Sequence, residues 1–572
     1  MRYCRKLLPS VLIFSMLLTG CGTASAAGGT TSAPVQSAAS EDTDTQKLFT
    51  KRDLSGSFSD NVYNISLSGA SAASGCDTVR LGTSSVTVTA EGTYILSGEF
   101  EGTIIVDAAK SDKVQLVLSG ADIHSSGSAA IYIAQADKVF VTLAENTANT
   151  LSCTAPDSDS EDSGIDAAIY AKDKLTINGS GSVEISSQNL HGIFCKDTLR
   201  ITGGKIGISA AKRGLSSKED IRICNADISI KCEKMGIRAK SDDEALGNIF
   251  IESGRINVSS ADDCIHASGN IDISGGSITL ESKDDAVHAD AAVTISGGSL
   301  SIKNSYEGIE GQCIYILGGE IDLTSSDDGL NAAGGNDASG FMGPVGNRDS
   351  FSGKRPDRAE PGRDFRPADM PESGKGLNPF DRDSAPEQRS GMMPDAEGFG
   401  GGFGGFGADD SCSIEISGGT LVINSEGDGI DSNGSLCVSG GAVYVSGPTN
   451  SGNGALDFGT GAAISGGTVI AAGAMGMAEN FGSESTQCSV LFSTGSQPGG
   501  TELTLKDSSG KTLLSFSPEK KYECVVISSP DIRLGESYTL TAGSSTVEVT
   551  VESIITGESR GMFSGKRPGP RN

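Results

Sequence analysis

Acidic side chains recur at one position of a repeat in the middle of the chain, and their oxygen atoms are potential metal ligands. This position, which we call the turn column, contains Asp263, Asp285, Glu307, Asp328 and Asp428. The position before it is acidic in three copies, at Asp262, Asp284 and Asp327. Three residues after the turn column lies a second position, the strand column, with His266, His288, Glu310, Asn331 and Asp431. Carboxylate and carbonyl oxygens in such numbers suit calcium best among the common metals.

Stacked carboxylates predict a bound cation because they repel one another. Neighbouring strands lie about 4.8 Å apart, and two like charges at that distance repel by about 3 kcal/mol at an effective dielectric constant near 20. A cation, raised carboxyl pKa values or side chains that extend into water would relieve this repulsion. We expect calcium at Asp262, Asp284 and the turn column, and ligand contacts from the strand column. A solvated acidic edge, or a transition metal at His266 and His288, is the alternative.

The repeat that positions these columns has a period of about 22 residues, which is typical of a solenoid. Its clearest copies are NIDISGGSITLESKDDAVHAD, AAVTISGGSLSIKNSYEGIEG and QCIYILGGEIDLTSSDDGLNAAGG. Each contains short alternating strands and a Gly-Gly turn, and only stacked coils bury the apolar row that alternation produces. We predict an all-β fold, a right-handed parallel β-helix with a small C-terminal β cap. A β-sandwich is the alternative that the near-constant period disfavours.

Interruptions of the repeat divide the chain into segments. A stretch rich in Gly, Pro and Arg breaks the pattern, and an ISGG turn at residues 416–419 resumes it. The predicted segments are a signal peptide (1–20), a flexible tether (21–52), an N-terminal β cap with the first strands (53–112), a parallel β-helix (113–335), a disordered insertion (336–410), the continued β-helix (411–480), a C-terminal β cap (481–555) and a disordered basic tail (556–572).

The first residues have the pattern of an export signal. Basic residues precede an apolar stretch from Leu7 to Leu18, which is too short for a permanent membrane helix. The following Leu-Thr-Gly-Cys resembles a bacterial lipobox, in which the signal is removed and Cys21 is acylated. We therefore expect an extracytoplasmic protein that a lipid at Cys21 anchors to the membrane at the cell surface. An ordinary cleavage site near residues 24–27 is the alternative.

The composition limits the partners of the chain. Its 572 residues include 78 Gly and no Trp, only 5% are aromatic, and the formal net charge is −29. A strongly acidic protein does not attract nucleic acid, and the scarcity of aromatic residues leaves no flat platform for crystalline cellulose. The 13 cysteines have no zinc-site spacing, so most are interpreted as small buried apolar residues. We expect a monomer that does not bind nucleic acid.

Three N-terminal motifs add a resemblance. AEGTYILSGEFEGTIIVDA, KVQLVLSGADI and AAIYIAQADKVFVTLAENTANTL, followed by ISGG coils with DDAVHA-like turns, resemble the carbohydrate-binding-domain family of exported β-helix proteins. The resemblance spans about Leu54 to Ile555 apart from the insertion. It implies a right-handed parallel β-helix, calcium along the helix, and acidic plant polysaccharide such as polygalacturonate as the ligand, with cellulose less favoured. The lipobox and the basic insertion depart from the family pattern.

The same repeat also resembles the β-helix of pectate lyases, which use calcium and a basic residue. A lyase needs a base beside a metal that acidifies the proton to be removed. Arg238 falls in the strand column one coil before His266, and Lys240 lies close by. These two residues are the catalytic candidates for a lyase, although charges that balance the acidic edge are the favoured interpretation. We expect non-catalytic, calcium-dependent glycan binding, with a pectate lyase and a structural surface adhesin as alternatives.

Overall fold

Alternating apolar residues build the core of each coil. In the strand Ile271–Ile273, the two isoleucines point inward and are almost fully buried, whereas Asp272 between them points outward. Burying one such side chain contributes about 1.5–3 kcal/mol, provided that the next coil covers it. Parallel pairing supplies that cover, because Ile271 and Ile273 lie directly beside Val293 and Ile295 of the following coil.

The computed structural model describes residues 48–58, 62–154, 164–333 and 409–557. The described residues form an all-β parallel solenoid of about 12 turns without a helix, which confirms the predicted fold class. Accordingly, this part of the chain contains no helix long and apolar enough to cross a membrane. The predicted signal peptide and Cys21 lie outside the described residues. So do the insertion and the basic tail, except for residues 409–410 and 556–557.

Three parallel sheets run along the solenoid that the described residues form, and its successive coils add strands to each of them. Sheet one consists of Ser85–Val88, Thr103–Asp107, Ile131–Gln135, Ala167–Ala171, His191–Cys195, Leu215–Ser217, Ile237–Ala239, Ile265–Ala267, Leu330–Ala332, Ile430–Ser432 and Leu456–Phe458. Sheet two consists of Lys138–Leu143, Lys174–Gly179, Leu199–Ile201, Ile221–Ile223, Ile249–Ile251, Ile271–Ile273, Ser413–Ile416, Ser435–Val438 and Gly461–Ile464. Sheet three consists of Ala148–Thr154, Ser182–Gln188, Lys205–Ala210, Asp227–Cys232, Arg255–Ser260, Ser277–Glu281, Ser299–Asn304, Glu320–Ser325, Thr420–Ser425, Ala442–Ser446 and Thr468–Gly473.

Longer strands continue from one sheet into the next. Val287–Ile295 and Ile309–Ile316 run from sheet one into sheet two. Tyr63–Gly69, Gly92–Glu101 and Lys113–Ser126 run from sheet two into sheet three. Parallel stacking therefore begins within residues 53–112, for which a cap and the first strands were predicted.

Antiparallel strands occur at both ends of the parallel stack. At the N-terminal end, Ser71–Ser74 and Val79–Leu81 pair antiparallel with neighbouring strands. At the C-terminal end, Tyr522–Ser528 pairs antiparallel with the last sheet-three strand and with Ser489–Gln497, which also pairs with Ile555–Thr556. A separate antiparallel sheet contains Leu503–Asp507, Thr512–Phe516, Ser537–Ala542 and Ser545–Thr550.

A short N-terminal segment, residues 48–58, packs on the outside of sheet two. Phe49 is buried, and the carboxylate of Asp53 is fully buried against the Lys138 ammonium. Thr176 Oγ1 also donates a hydrogen bond of 2.7 Å to Asp53. The tether predicted for residues 21–52 therefore extends too far, because residues 48–52 already belong to this packed segment. These contacts join residues that are far apart in the sequence, so the repeat pattern does not predict them.

Candidate functional site

The strand column is an unbroken row on the outer side of sheet one. Its members are the middle residues of short strands whose flanking residues point into the core. Cα pairing places Arg238 beside His266, followed in order by His288, Glu310, Asn331, Asp431 and Asp457. The solenoid thus brings together side chains that are as much as a hundred residues apart in sequence.

The turn column lies at the corner that leads into these strands, and its carboxylates have a structural role. Asp263 Oδ1 accepts a hydrogen bond of 3.2 Å from the backbone N–H of Asp285, and Asp285 Oδ1 accepts one of 3.2 Å from Glu307. Asp328 Oδ1 accepts a bond of 2.6 Å from the backbone N–H of Asp428. One oxygen of each of these carboxylates therefore links its coil to the next, which leaves the second oxygen for other contacts.

Histidines take up the second oxygen in one half of the ladder. His266 Nδ1 lies 2.8 Å from Asp263 Oδ2, and His288 Nδ1 lies 3.2 Å from Asp285 Oδ2. His288 Nδ1 also lies 2.6 Å from Glu310 Oε2. On the opposite side of the rings, Asp290 Oδ1 approaches both Nε2 atoms. We call these residues the histidine group: Asp263, His266, Asp285, His288, Asp290 and Glu310.

Charge within the histidine group is partly compensated. Burial by itself would lower the pKa of His288, but hydrogen bonds to Asp285, Asp290 and Glu310 outweigh burial and raise the pKa well above its usual value. The His288 ring lies among three carboxylates, those of Asp285, Asp290 and Glu310. The pKa of Asp290 is lowered, because its hydrogen bond to His288 and the nearby His266 outweigh the opposing effect of burial.

In the other half of the ladder, no histidine among the described residues contacts the carboxylates. One ligand atom from each of Asp328, Asp428 and Asp431 lies within 4.8 Å of the others, and we call these three residues the acidic group. Burial raises the pKa of Asp328 well above its usual value, and the charges of Asp428 and Asp431 raise it further. Burial likewise raises the pKa of Asp431, followed by the charges of Asp428 and Asp457. Burial is also the main reason that the pKa of Asp428 rises to about 7.

Two buried oxygens of the strand column have no hydrogen-bond partner among the described residues. They are Glu310 Oε1 and Asn331 Oδ1, and both side chains are at most 2% exposed. Asn331 Nδ2 donates a bond of 2.8 Å to Glu307 Oε2, which orients the amide in the row. A buried acceptor without a partner loses free energy, and a cation coordinated by oxygens would satisfy it. The residues present therefore fit an oxygen-coordinated ion.

The outer acidic residues are more dispersed. Asp262 and Asp284 form a further potential metal group with Asp263, but Asp284 is exposed. Asp327 instead interacts with the Tyr306 hydroxyl, and this hydrogen bond raises the pKa of Tyr306.

The two lyase candidates lie near the histidine group and not near the acidic group. Arg238 is the strand-column neighbour of His266, and Lys240 is close enough to Asp290 to lower its pKa. Five coil spacings separate Arg238 from Asp431, which corresponds to roughly 24 Å. Burial, followed by the charges of Arg213, Lys212 and Arg238, lowers the pKa of His191 to about 3. A basic surface therefore precedes the acidic ladder along sheet one.

Three acidic residues near the ladder were not predicted from the sequence. Asp457 continues the strand column beyond Asp431, but its coil is longer than the usual period. Asp290 follows the strand column by two residues and contacts both imidazoles. Glu479 comes from the segment after the last coil, and burial followed by the charges of Asp457 and Asp428 raises its pKa to about 7. Counting coil by coil would have found Asp457, but no pattern marks Glu479.

Known proteins match parts of this chain. The family model described as carbohydrate-binding domain-containing protein matches residues 82–336, which is less than half of the chain. A carbohydrate-binding domain-containing protein of Acetivibrio thermocellus is 37% identical over 128 residues, which make up 22% of this chain and 45% of the relative. The chain thus spans less than half the length of this curated relative. A polysaccharide lyase-like protein from C. thermocellum, solved as a gadolinium derivative, aligns at 25% identity over 47% of this chain and 95% of its own, with a TM-score of 0.33.

The matched range contains only part of the ladder. It includes the histidine group, Asp328 and Asn331, but it ends before Asp428 and Asp431. Residues beyond the matched range therefore complete the acidic group.

Proposed function

We propose that this protein binds acidic polysaccharide of the plant cell-wall type, without cleaving it, through calcium held by the acidic group. The observation that carries the proposal is the cluster of Asp328, Asp428 and Asp431. Among the described residues, no histidine compensates the charges of these carboxylates, whereas histidines do so in the histidine group. Two oxygens bound to one calcium ion at 2.3–2.6 Å lie at most about 5 Å apart. The separations within the acidic group agree with this limit.

Calcium explains how an acidic protein can bind an acidic glycan. The formal charge of −29 repels a polyuronate. Calcium takes six to eight oxygen ligands, so an ion held by three side chains and a few neighbouring oxygens keeps positions for uronate carboxylates. Glycan binding then requires the ion. It does not require an aromatic platform, so the absence of Trp is consistent with this mode of binding. The carbohydrate-binding family model that matches residues 82–336 supports a glycan ligand.

The cell surface is the proposed location. Lipid attached to Cys21 would hold the solenoid outside the membrane, where it can meet polymers too large to cross. One chain suffices for this role, since the acidic group lies entirely on one chain. Replacing Cys21 with Ser should release the protein from the membrane fraction without changing its glycan affinity, as measured by fractionation and pull-down.

Retention on insoluble polygalacturonate tests the proposal. Wild-type protein should be retained with calcium and released by a chelator, whereas an Asp328→Asn, Asp431→Asn double variant should not be retained in either condition. Asp322→Asn is the matched control, because Asp322 is exposed on sheet three of the same coil as Asp328. Retention of the double variant at the wild-type level would refute the bridging role of the acidic group.

The same incubation distinguishes the alternatives. A lyase would release unsaturated uronate ends, so ultraviolet absorbance would rise in the presence of calcium and would stop rising in an Arg238→Ala variant. We expect no rise. A purely structural adhesin would show no retention on any glycan, although calcium would still raise its melting temperature.

A further inference from the structure

Two of the four histidines of the chain stack on adjacent coils. The ring centroids of His266 and His288 lie 4.8 Å apart, and the ring planes differ by 13°. Both Nε2 atoms approach the same carboxylate oxygen, Asp290 Oδ1, at 3.9 Å for His266 and 3.4 Å for His288. Three donor atoms of the types that transition metals prefer therefore meet on one side of the ring pair.

The opposite ring nitrogens are held by carboxylates. Asp263 contacts His266 Nδ1, while Asp285 and Glu310 contact His288 Nδ1. Histidines that ligate metals almost always donate the second ring N–H to a carboxylate or carbonyl, which fixes the ring and leaves Nε2 with its lone pair. In the histidine group a carboxylate contacts Nδ1 of both rings, and a metal ion bound to Nε2 of His288 takes the place of the proton that this nitrogen shares with Asp290. The acidic group, in contrast, contains only oxygen donors and no ring nitrogen.

We propose that the histidine group binds one divalent transition-metal ion, such as zinc, through His266 Nε2, His288 Nε2 and Asp290. This site is separate from the calcium site proposed above and does not depend on it. Two ligand atoms bound at about 2.1 Å to a tetrahedral ion lie about 3.4 Å apart, which agrees with the spacing between His288 Nε2 and Asp290.

The surroundings leave the ion open to solvent on one side. The Asp290 side chain is 45% exposed, whereas those of His266 and His288 are 15% and 7% exposed. Three protein ligands with one exposed side are typical of metal sites that retain a water molecule or an exchangeable ligand. An oxygen-bearing glycan or other small ligand can therefore reach the ion.

Cobalt binding to the full chain tests the site. After metal removal with a chelator, Co²⁺ titration followed by visible absorbance should saturate at one ion per chain, and zinc should displace it. Asp290→Asn should weaken binding at least tenfold, and His266→Ala with His288→Ala should abolish it. Asp263→Asn should weaken binding about 10- to 100-fold, because Asp263 orients a ligating ring. His124→Ala is the control, since His124 contacts Ser152 on sheet three and its replacement should change nothing.

Thiols are the main competing ligands, because the eleven cysteines among the described residues form no disulfide bond and Cys437 is exposed. Cobalt bound to thiolate gives intense near-ultraviolet bands, which we expect to be absent. Unchanged cobalt affinity in Asp290→Asn, or saturation that survives loss of both histidines, would overturn the proposal. The Asp328→Asn, Asp431→Asn variant should keep its cobalt site. Loss of cobalt binding in that variant would also contradict a separate site, whether or not glycan retention is observed.

Discussion

In the turn column, the carboxylates of Asp263, Asp285 and Asp328 each use their two oxygens for different contacts. One oxygen accepts a backbone hydrogen bond from the next coil, as Asp263 and Asp328 do. The other contacts a histidine or lies among further carboxylates. Asparagine keeps the size of the side chain and one oxygen, so an Asp→Asn change removes charge with less structural damage than alanine does. Asparagine variants are therefore the better probes of ion binding at these positions.

Gly427 provides a residue-scale test of the acidic group. A Cβ atom at this position would lie 2.3 Å from Asp328 Oδ1 and 2.4 Å from Asp327 Oδ1. Gly427→Ala should push both carboxylates aside and weaken calcium binding about tenfold, which corresponds to about 1.4 kcal/mol. Isothermal titration calorimetry with calcium measures the effect.

The matched control for Gly427 is Gly452→Ala. A Cβ atom there would make only an ordinary contact of 3.4 Å with Asn450. Equal calcium affinity in the Gly427→Ala and Gly452→Ala variants would mean that the ion does not bind at Asp328.

Asp53 links stability to pH. Hydrogen bonds from Lys138, Thr50 and Thr176 outweigh the opposing effect of burial and lower its pKa from 3.8 to about 2. Because the folded pKa lies below the unfolded one, this carboxylate stabilises the protein above pH 4, by about 2 kcal/mol. That contribution should be lost as the pH falls from about 4 to 2. Denaturant unfolding between pH 5 and 2 measures it.

Asp53→Asn should remove this pH dependence and lower stability at neutral pH by about 3–5 kcal/mol, because the Lys138 ammonium is left buried without its partner. Asp322→Asn, an exposed change, should leave the acid transition as it is in the wild type. Parallel acid transitions for the wild type and Asp53→Asn would show that other carboxylates dominate.

At the scale of elements, Gly-Gly corners determine how closely coils stack. Gly298 has a positive φ of 85°, and a Cβ atom would lie 2.8 Å from the backbone carbon of Gly275 in the preceding coil. Both the backbone conformation and the close approach of two corners therefore require glycine. The corner between sheets two and three repeats in the same way along the solenoid.

Gly298→Ala should destabilise the protein by about 2–4 kcal/mol, the combined cost of the left-handed conformation and the clash. Gly510→Ala separates the two causes, because Gly510 has nearly the same φ of 86° but open space around its Cβ position. It should cost only about 1–2 kcal/mol. Urea unfolding of both variants gives the comparison, and equal losses would rule out steric contact between corners.

At the scale of the whole molecule, the stacking of coils makes the stability of the solenoid depend on the charges at each interface. Each coil contacts its neighbours, so stability is approximately a sum of terms for coils and for the interfaces between them. The acidic group spans two adjacent coils, with Asp328 on one and Asp428 and Asp431 on the next, and so stacks carboxylates across the interface between them. An ion bound there would stabilise the interface between these two coils.

Calcium should therefore raise the melting temperature of the full chain. Binding to the folded state alone stabilises it by about 2.7 kcal/mol when free calcium is 100 times the Kd. Differential scanning calorimetry with and without chelator measures the shift, and magnesium at equal concentration serves as the ionic-strength control. The Asp328→Asn, Asp431→Asn variant should show no shift, and a full shift in that variant would move the calcium site elsewhere.

The sequence by itself determined the solenoid and the two columns, because one period of the repeat is one coil. Residues one period apart, such as His266 and His288, must then be neighbours on the same sheet. Only the tertiary structure decided which carboxylates contact a histidine and which lie among other carboxylates, since that choice depends on side-chain direction. It also placed Asp53 against Lys138 and Glu479 near Asp457, contacts between distant segments that no repeat encodes.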